Sequence, residues 1–182
     1  MAATRCVALL RGINVGGKNK VVMADLRDAF TDAGFKGAST YIASGNVLFR
    51  RERPATMLED EIEAALKERF GIPLVVVVRT HRQLRAVVNQ APADFVALHG
   101  THYRDAVFLK SPLTPAKALG LVQLREGVDQ AWAGTGVVYF ARLSAERQRS
   151  LMSKIVGRPE YQLMTIRSWS TTTKLLALLD DA

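Results

Sequence analysis

Along the chain, apolar and polar positions alternate between stretches with the period of a strand and stretches with the period of a helix. Residues 4–11 hold a nearly continuous apolar run, CVALL, that predicts a buried strand. Met23, Leu26, Phe30 and Ala33 share one face of a helix expected over 23–33, and Gly34 suits a left-handed stop. Strands are expected near 38–43 and 46–50, joined by a tight turn at Ser44–Asn46. Leu58, Ile62, Leu66 and Phe70 mark the apolar side of a helix over 56–70. The β-branched run PLVVVVR (73–79) reads as a strand, and Thr80 can cap a helix through Leu84, Val87 and Val88 to about residue 90.

The second half follows the same order. A strand over 103–109 leads through KSPLTP to a short helix near 115–120. Strands over 128–133 and 136–142 flank the turn GTG. Ser144 opens an expected helix with Leu151, Met152, Ile155 and Val156 inward, stopped at Gly157–Pro159. YQLMTIR (161–167) reads as the last strand, and a closing helix is capped by Ser170 or Thr171. Each half thus spells β-α-β-β-α-β plus a helix. The expected fold is α+β: two ferredoxin-like, split βαβ units in tandem, each an antiparallel sheet with helices and each followed by an extra helix. APADF interrupts the helical pattern, so the units are expected at residues 1–91 and 92–182. Arg79 and Arg167 fall at matching places, a pattern repeat with weak residue-level similarity.

That topology draws attention to RGINVGGKNK, Arg11–Lys20, with three glycines and three cations. In a split βαβ unit, the loop after the first strand and the turn between the second and third lie at the same end of the sheet. Arg11, Asn14, Gly16, Gly17, Lys18, Lys20, Ser44 and Asn46 are therefore expected to converge as a ligand-binding group. Arg11 and Lys18 would supply charge, the Gly16–Gly17 backbone would supply donors, and Asn14, Ser44 and Asn46 would orient the ligand. A bland reading covers the same residues: a long loop needs glycines, surface lysines are solvated, and SGN is a good turn for backbone reasons. A nucleotide-triphosphate loop is excluded. Gly12, Gly17 and Lys18 have the spacing, but Asn19 replaces the Mg²⁺-binding hydroxyl and Val21 and Val22 delay the helix.

Composition narrows the setting. With 182 residues, 48% hydrophobic and 23% charged, the chain is long enough to bury a substantial core. No apolar run reaches membrane-spanning length, and no cleavage site follows the N-terminal apolar patch. The single cysteine, Cys6, fits a reducing cytoplasm. A net charge of +8 favours anionic partners. Acids gather in Glu59–Glu68, as helix electrostatics would place them, and cations in Arg11–Arg27, Arg50–Arg53 and Arg147–Lys174.

CVALLRGINVGGKNKVVMADLRDAF, GFKGASTYIASGNVLF and the closing MTIRSWSTTTKLLALL closely resemble a widespread bacterial family known as domain of unknown function sixteen ninety-seven. The resemblance covers essentially the whole chain and implies two linked α+β ferredoxin-like parts. The family's closing motif, T-x-R-N-W-N-T, is matched by Thr165, Arg167, Trp169 and Thr171, whereas Ser168 and Ser170 stand in place of its amides. The resemblance implies no activity.

Other groups carry less. Arg167 and Trp169 are secondary ligand candidates, Trp169 by stacking on a base or sugar, although a Trp before a helix cap also suits packing. His99 and His102 lack a third ligand, so no metal and no cofactor is expected. Arg147, Lys154 and Arg158 fall on one expected helical face. RNA binding through the sheet needs aromatics on the central strands, which here offer only Phe49. The leading expectation is a cytoplasmic protein that binds a phosphate-bearing small molecule, another anion, or nucleic-acid phosphate. The alternatives are an enzyme acting on a phosphorylated small molecule at the same pocket and a protein-interaction module. Whether it is an enzyme, and its oligomeric state, the sequence leaves open.

Overall fold

The structure, a computed structural model, describes residues 3–52 and 57–182. Arg53, at the end of the Arg50–Arg53 cluster, and Thr56, at the expected start of the second helix, lie outside the described residues. The chain divides into two compact units, one of residues 1–84 with 175–182 and one of residues 85–174. Both hold a four-stranded antiparallel sheet with the strand order of a ferredoxin-like fold.

In the first unit the order is β2-β3-β1-β4, from β1 (Thr4–Leu10), β2 (Lys36–Tyr41), β3 (Asn46–Arg51) and β4 (Val76–Thr80). Helices α1 (Met23–Asp32) and α2 (Leu58–Phe70) cover one face. Cys6, Ala8 and Leu10 alternate toward them and meet Leu26, Phe30, Ile62 and Leu66. On α1 the buried positions are Leu26, Ala29 and Phe30; Ala33, expected inward, is exposed, and Gly34 takes the left-handed stop at φ +87°. Part of the acidic cluster has a job beyond helix electrostatics. The α2 carboxylates of Glu63 and Glu59 accept the backbone N–H groups of Val76 and Val78 at 2.7 and 2.8 Å. They saturate donors on β4, an edge strand that would otherwise offer them to another chain. α3 (His81–Asn89) begins with a capping box: Gln83 N donates to Thr80 Oγ1 at 3.2 Å while Thr80 N donates to Gln83 Oε1 at 2.9 Å. The last residues also belong to this unit. Arg5 donates to the carbonyls of Asp180 and Ala182, both at 3.1 Å, and His81 Nε2 lies 2.6 Å from Asp180 Oδ1.

The second unit repeats the order as β6-β7-β5-β8, from β5 (His102–Leu109), β6 (Asp129–Gly134), β7 (Val137–Leu143) and β8 (Met164–Ser168). α5 (Pro115–Leu121), capped by Thr114, packs on the face of Val107, Leu109, Val138 and Phe140. The stretch expected to link the units is a short helix, α4 (Ala93–Ala97), whose Phe95 is fully buried among Tyr139, Trp132 and Trp169. The compact division accordingly differs from residues 1–91 and 92–182: it falls within α3 and again within α6 (Trp169–Asp181).

One element differs in kind. The helix expected from Ser144 is a series of three 3₁₀ segments, Ser144–Arg149, Met152–Gly157 and Pro159–Leu163. Tertiary bonds take the backbone groups that a continuous helix needs. Asp129 Oδ2 accepts Leu151 N at 2.8 Å, and Arg125 Nε donates to Arg149 O at 2.6 Å. Ile155 faces the core, but Val156, expected inward, is 56% exposed, and Arg147, Lys154 and Arg158 do not share a helical face.

Candidate functional site

The segment Arg11–Lys20 is a small β-hairpin. Lys18 N donates to Val15 O at 3.0 Å and Asn14 N to Asn19 O at 3.1 Å, closing a two-residue turn at Gly16 and Gly17. Both central residues have positive φ, +58° and +75°, the signature of a type I′ turn, which two glycines satisfy without strain. A Cβ at either would meet nothing within 4 Å, so conformation, not space, calls for glycine. The hairpin stands apart from α1, whose first residue is Met23. This is not the strand–loop–helix cradle of a triphosphate site.

Asn14 ties the hairpin to the rest of the rim. Its Nδ2 donates to Val21 O and to Ala43 O, both at 2.9 Å, and its Oδ1 accepts Val21 N at 2.9 Å. The second of these bonds reaches the β2–β3 turn 29 positions away. Leu10 N also reaches the turn, donating to Gly45 O at 2.8 Å. A Cβ on Gly45 would lie 2.6 Å from Ile13 Cδ1, so the loop and the turn interlock. The turn is wider than a tight SGN bend. It includes Ile42 at φ +51°, a conformation costly for a β-branched residue.

The rim residues divide by role. Gly16, Gly17, Lys18 and Lys20 are exposed and Arg11 half-buried. Asn46 is fully buried, and its Nδ2 donates to Tyr41 O at 2.9 Å and to Ser44 Oγ at 3.1 Å. The amides of Asn14 and Asn46 thus brace the rim. Val15, Val22 and Ile42 expose 65%, 64% and 49% of their surface in the same two segments, a feature that reading for charge passed over.

The secondary candidates are interior groups. Trp169 is 9% exposed and packs edge-on to Phe95 and Tyr139, with ring centroids at 5.0 and 6.0 Å. Arg167 is buried and donates to Ile166 O at 2.9 Å; burial pulls its guanidinium down to about 10, so it remains charged at neutral pH. Ser168, not Ser170 or Thr171, caps α6 by accepting Thr171 N at 3.2 Å. Phe49, the one aromatic on a central strand of the first sheet, is buried against Phe30 and Phe35 on the helix side. His99 and His102 lie beside Arg104 and Thr101 at 3.1 and 2.8 Å. Among the described residues no group of His, Cys, Asp and Glu could hold a metal ion, and no helix is long and apolar enough to cross a membrane.

Two ferredoxin-like sheets, the first carrying a braced cationic hairpin at one end, define the class of protein. The chain belongs to the family described as Protein of unknown function (DUF1697), whose model matches residues 3–139. A conserved bacterial protein from Streptococcus pneumoniae has a similar solved structure: the TM-score is 0.84 at 25% identity, over 98% of this chain and 99% of that one. No curated protein matches the chain.

Proposed function

We propose that this is a cytoplasmic binding protein whose hairpin rim docks on the phosphate backbone of a nucleic acid. The observation that carries the reading is the Asn14 brace, which holds a glycine-tipped hairpin bearing Lys18 and Lys20 against a turn far away in sequence. Holding a cationic protrusion in one place lowers the ordering cost of binding a polyanion. Arg11, Lys18 and Lys20 supply charge, Gly16 and Gly17 allow close backbone approach, and Asn14, Ser44 and Asn46 keep the geometry. The exposure of Lys18 and Lys20 suits an extended anion better than an enclosed phosphorylated metabolite. Binding also ranks ahead of catalysis: residues 11–22 and 41–46 contain no carboxylate, imidazole or thiol to move a proton.

The test is anisotropy of a labelled mixed-sequence DNA duplex titrated at several salt concentrations. Three cations on phosphates give a slope of log K against log salt of about −2.7, and Lys18→Glu with Lys20→Glu should leave about −0.9. Absence of low-salt binding, or a double variant that binds like the parent, overturns the reading. The exposed Val15, Val22 and Ile42 favour a second reading, a protein partner at the same rim. In that case Val15→Asp would remove association while Lys18→Glu would not.

A further inference from the structure

We infer that the second unit has a binding site of its own for a small organic anion, an oxyanion head on an apolar body. The site is an open groove of about 370 Å³, on the sheet face where the 3₁₀ segments replace a regular second helix. Arg142, Arg147 and Ser150 line its polar side. Met152, Val156, Tyr161 and Ile166 line the apolar remainder.

Both guanidinium groups are held in position. Each lies 5.6 Å from the centroid of the Tyr103 ring, and Arg147 Nη1 also donates to Tyr103 Oη at 3.0 Å. Arg142 Nη1 donates to Asp105 Oδ2 at 2.8 Å. Asp105 balances one of the two positive charges, while the hydroxyl that receives Arg147 is neutral. The other carboxylates on the 3₁₀ segments face elsewhere: Glu146 pairs with Arg149 and Glu160 with Lys117. Asp129, the cross-strand partner of Arg142, is buried and spends its Oδ2 on the backbone N–H groups of Arg125 and Leu151. Arg147, resting on a neutral hydroxyl, therefore gives the groove a positive end of planar donors in fixed orientation, the arrangement that recognises a carboxylate or phosphate through paired hydrogen bonds. Beside it, Val156 presents an exposed apolar wall to solvent. A simple inorganic anion would leave that wall wet, and an uncharged hydrocarbon would leave the positive end without a counter-charge. An amphipathic anion satisfies both ends, as small-molecule sites with a few fixed polar groups on an apolar lining do.

The experiment is a ¹H–¹⁵N NMR titration of the full chain with straight-chain carboxylates from butyrate to octanoate and alkyl phosphates of the same lengths. The matched alcohols and inorganic phosphate serve as comparisons. Expected are shifts confined to the amides of residues 142–166, affinity in the millimolar range rising with chain length, and at least about tenfold weaker binding of the alcohols and of inorganic phosphate. A stronger carboxylate series assigns the head as carboxylate, and a stronger phosphate series as phosphate. Arg147→Gln should weaken binding about tenfold. Val156→Ser, at an exposed position where the fold has little at stake, should flatten the chain-length dependence. Alcohols binding as tightly as the anions, inorganic phosphate binding as tightly as the long-chain forms, or no shift at residues 142–166 with any of the probes would overturn the assignment. The hairpin plays no part in this titration, so its outcome is independent of the duplex assay.

Discussion

The two units hold the same frame with nearly the same bonds. At the end of β1, Leu10 N donates to Gly45 O at 2.8 Å and Arg11 N to Val75 O at 2.9 Å. At the end of β5, Leu109 N donates to Gly136 O at 3.1 Å and Lys110 N to Leu163 O at 2.9 Å. Arg79 and Arg167, at the matching places on β4 and β8, each donate to the preceding carbonyl, at 2.8 and 2.9 Å. The differences lie in the connections. Unit one spends twelve residues between β1 and α1 and covers its sheet with a regular α2, whereas unit two passes from β5 to α5 in five residues and replaces the second helix by 3₁₀ segments. In each unit exposed cations collect at the irregular connection, Lys18 and Lys20 on the hairpin and Arg147, Arg149, Lys154 and Arg158 on the 3₁₀ series. A shared frame with divergent connections is what is expected when the sheet sets stability and the loops carry recognition.

The sharpest way to break the comparison is at Gly45, where hairpin and turn interlock. Gly45→Ala would place a Cβ 2.6 Å from Ile13 and 2.9 Å from Leu10 at φ +82°. Overpacking and left-handed strain together should cost about 3 kcal/mol. Gly16→Ala, with the same sign of φ but open space around it, should cost about 1 kcal/mol. Urea denaturation of both variants measures the difference, and equal losses would mean that the interlock carries no weight.

What could be read from the sequence follows where local and tertiary forces agree. CVALL and PLVVVVR are apolar in any context that buries them, and Gly34 is needed wherever α1 ends, so the strand order and most helices were legible. The breaks came where a remote side chain decided the outcome. Nothing near Leu151 announces that Asp129, 22 positions earlier, will accept its N–H and end the helix. Likewise APADF has the composition of a linker, and only the aromatic cluster around Phe95 makes it part of a core. At the rim, topology predicted that loop and turn would meet. It could not show that Asn14 and Asn46 would use their amides on the backbone, because that depends on the path of the hairpin.

A second test asks whether the hairpin is a built structure or a loose connection. Asn14→Ala removes three hydrogen bonds and leaves Val21 N, on a buried residue, without its acceptor. The expected loss is about 2 kcal/mol, since a buried unpaired donor costs more than a typical bond contributes. Hydrogen exchange should quicken at Lys18 and Val21 and remain slow on β5 and β7. Unchanged exchange at Val21 would show that the brace is dispensable. Asn14→Asp keeps the acceptor for Val21 N but sets a carboxylate oxygen against the carbonyls of Val21 and Ala43, and should cost at least as much as the alanine variant.

The last comparison sets one buried proton in each unit against the other. Burial pushes the Cys6 thiol from 9.0 up to about 11, against a weaker opposing pull from Arg51, and pushes the Tyr139 phenol from 10.0 up to about 12. Below about pH 8 both states of the protein keep both protons, so neither group makes stability depend on pH. Between about 9 and 11 the unfolded thiol ionises while the folded one stays protonated, so stability falls as pH rises, by about 2 kcal/mol in all. Tyr139 adds a similar loss between about 10 and 12. Cys6→Ala should flatten the first part of the decline. Tyr139→Phe should flatten the second, after a loss of about 1 kcal/mol at neutral pH for the bond from Tyr139 Oη to Val87 O at 2.6 Å. Equilibrium unfolding in urea from pH 8 upward resolves the two windows. A decline that begins at the same pH in both variants would mean that neither proton is the one the fold holds.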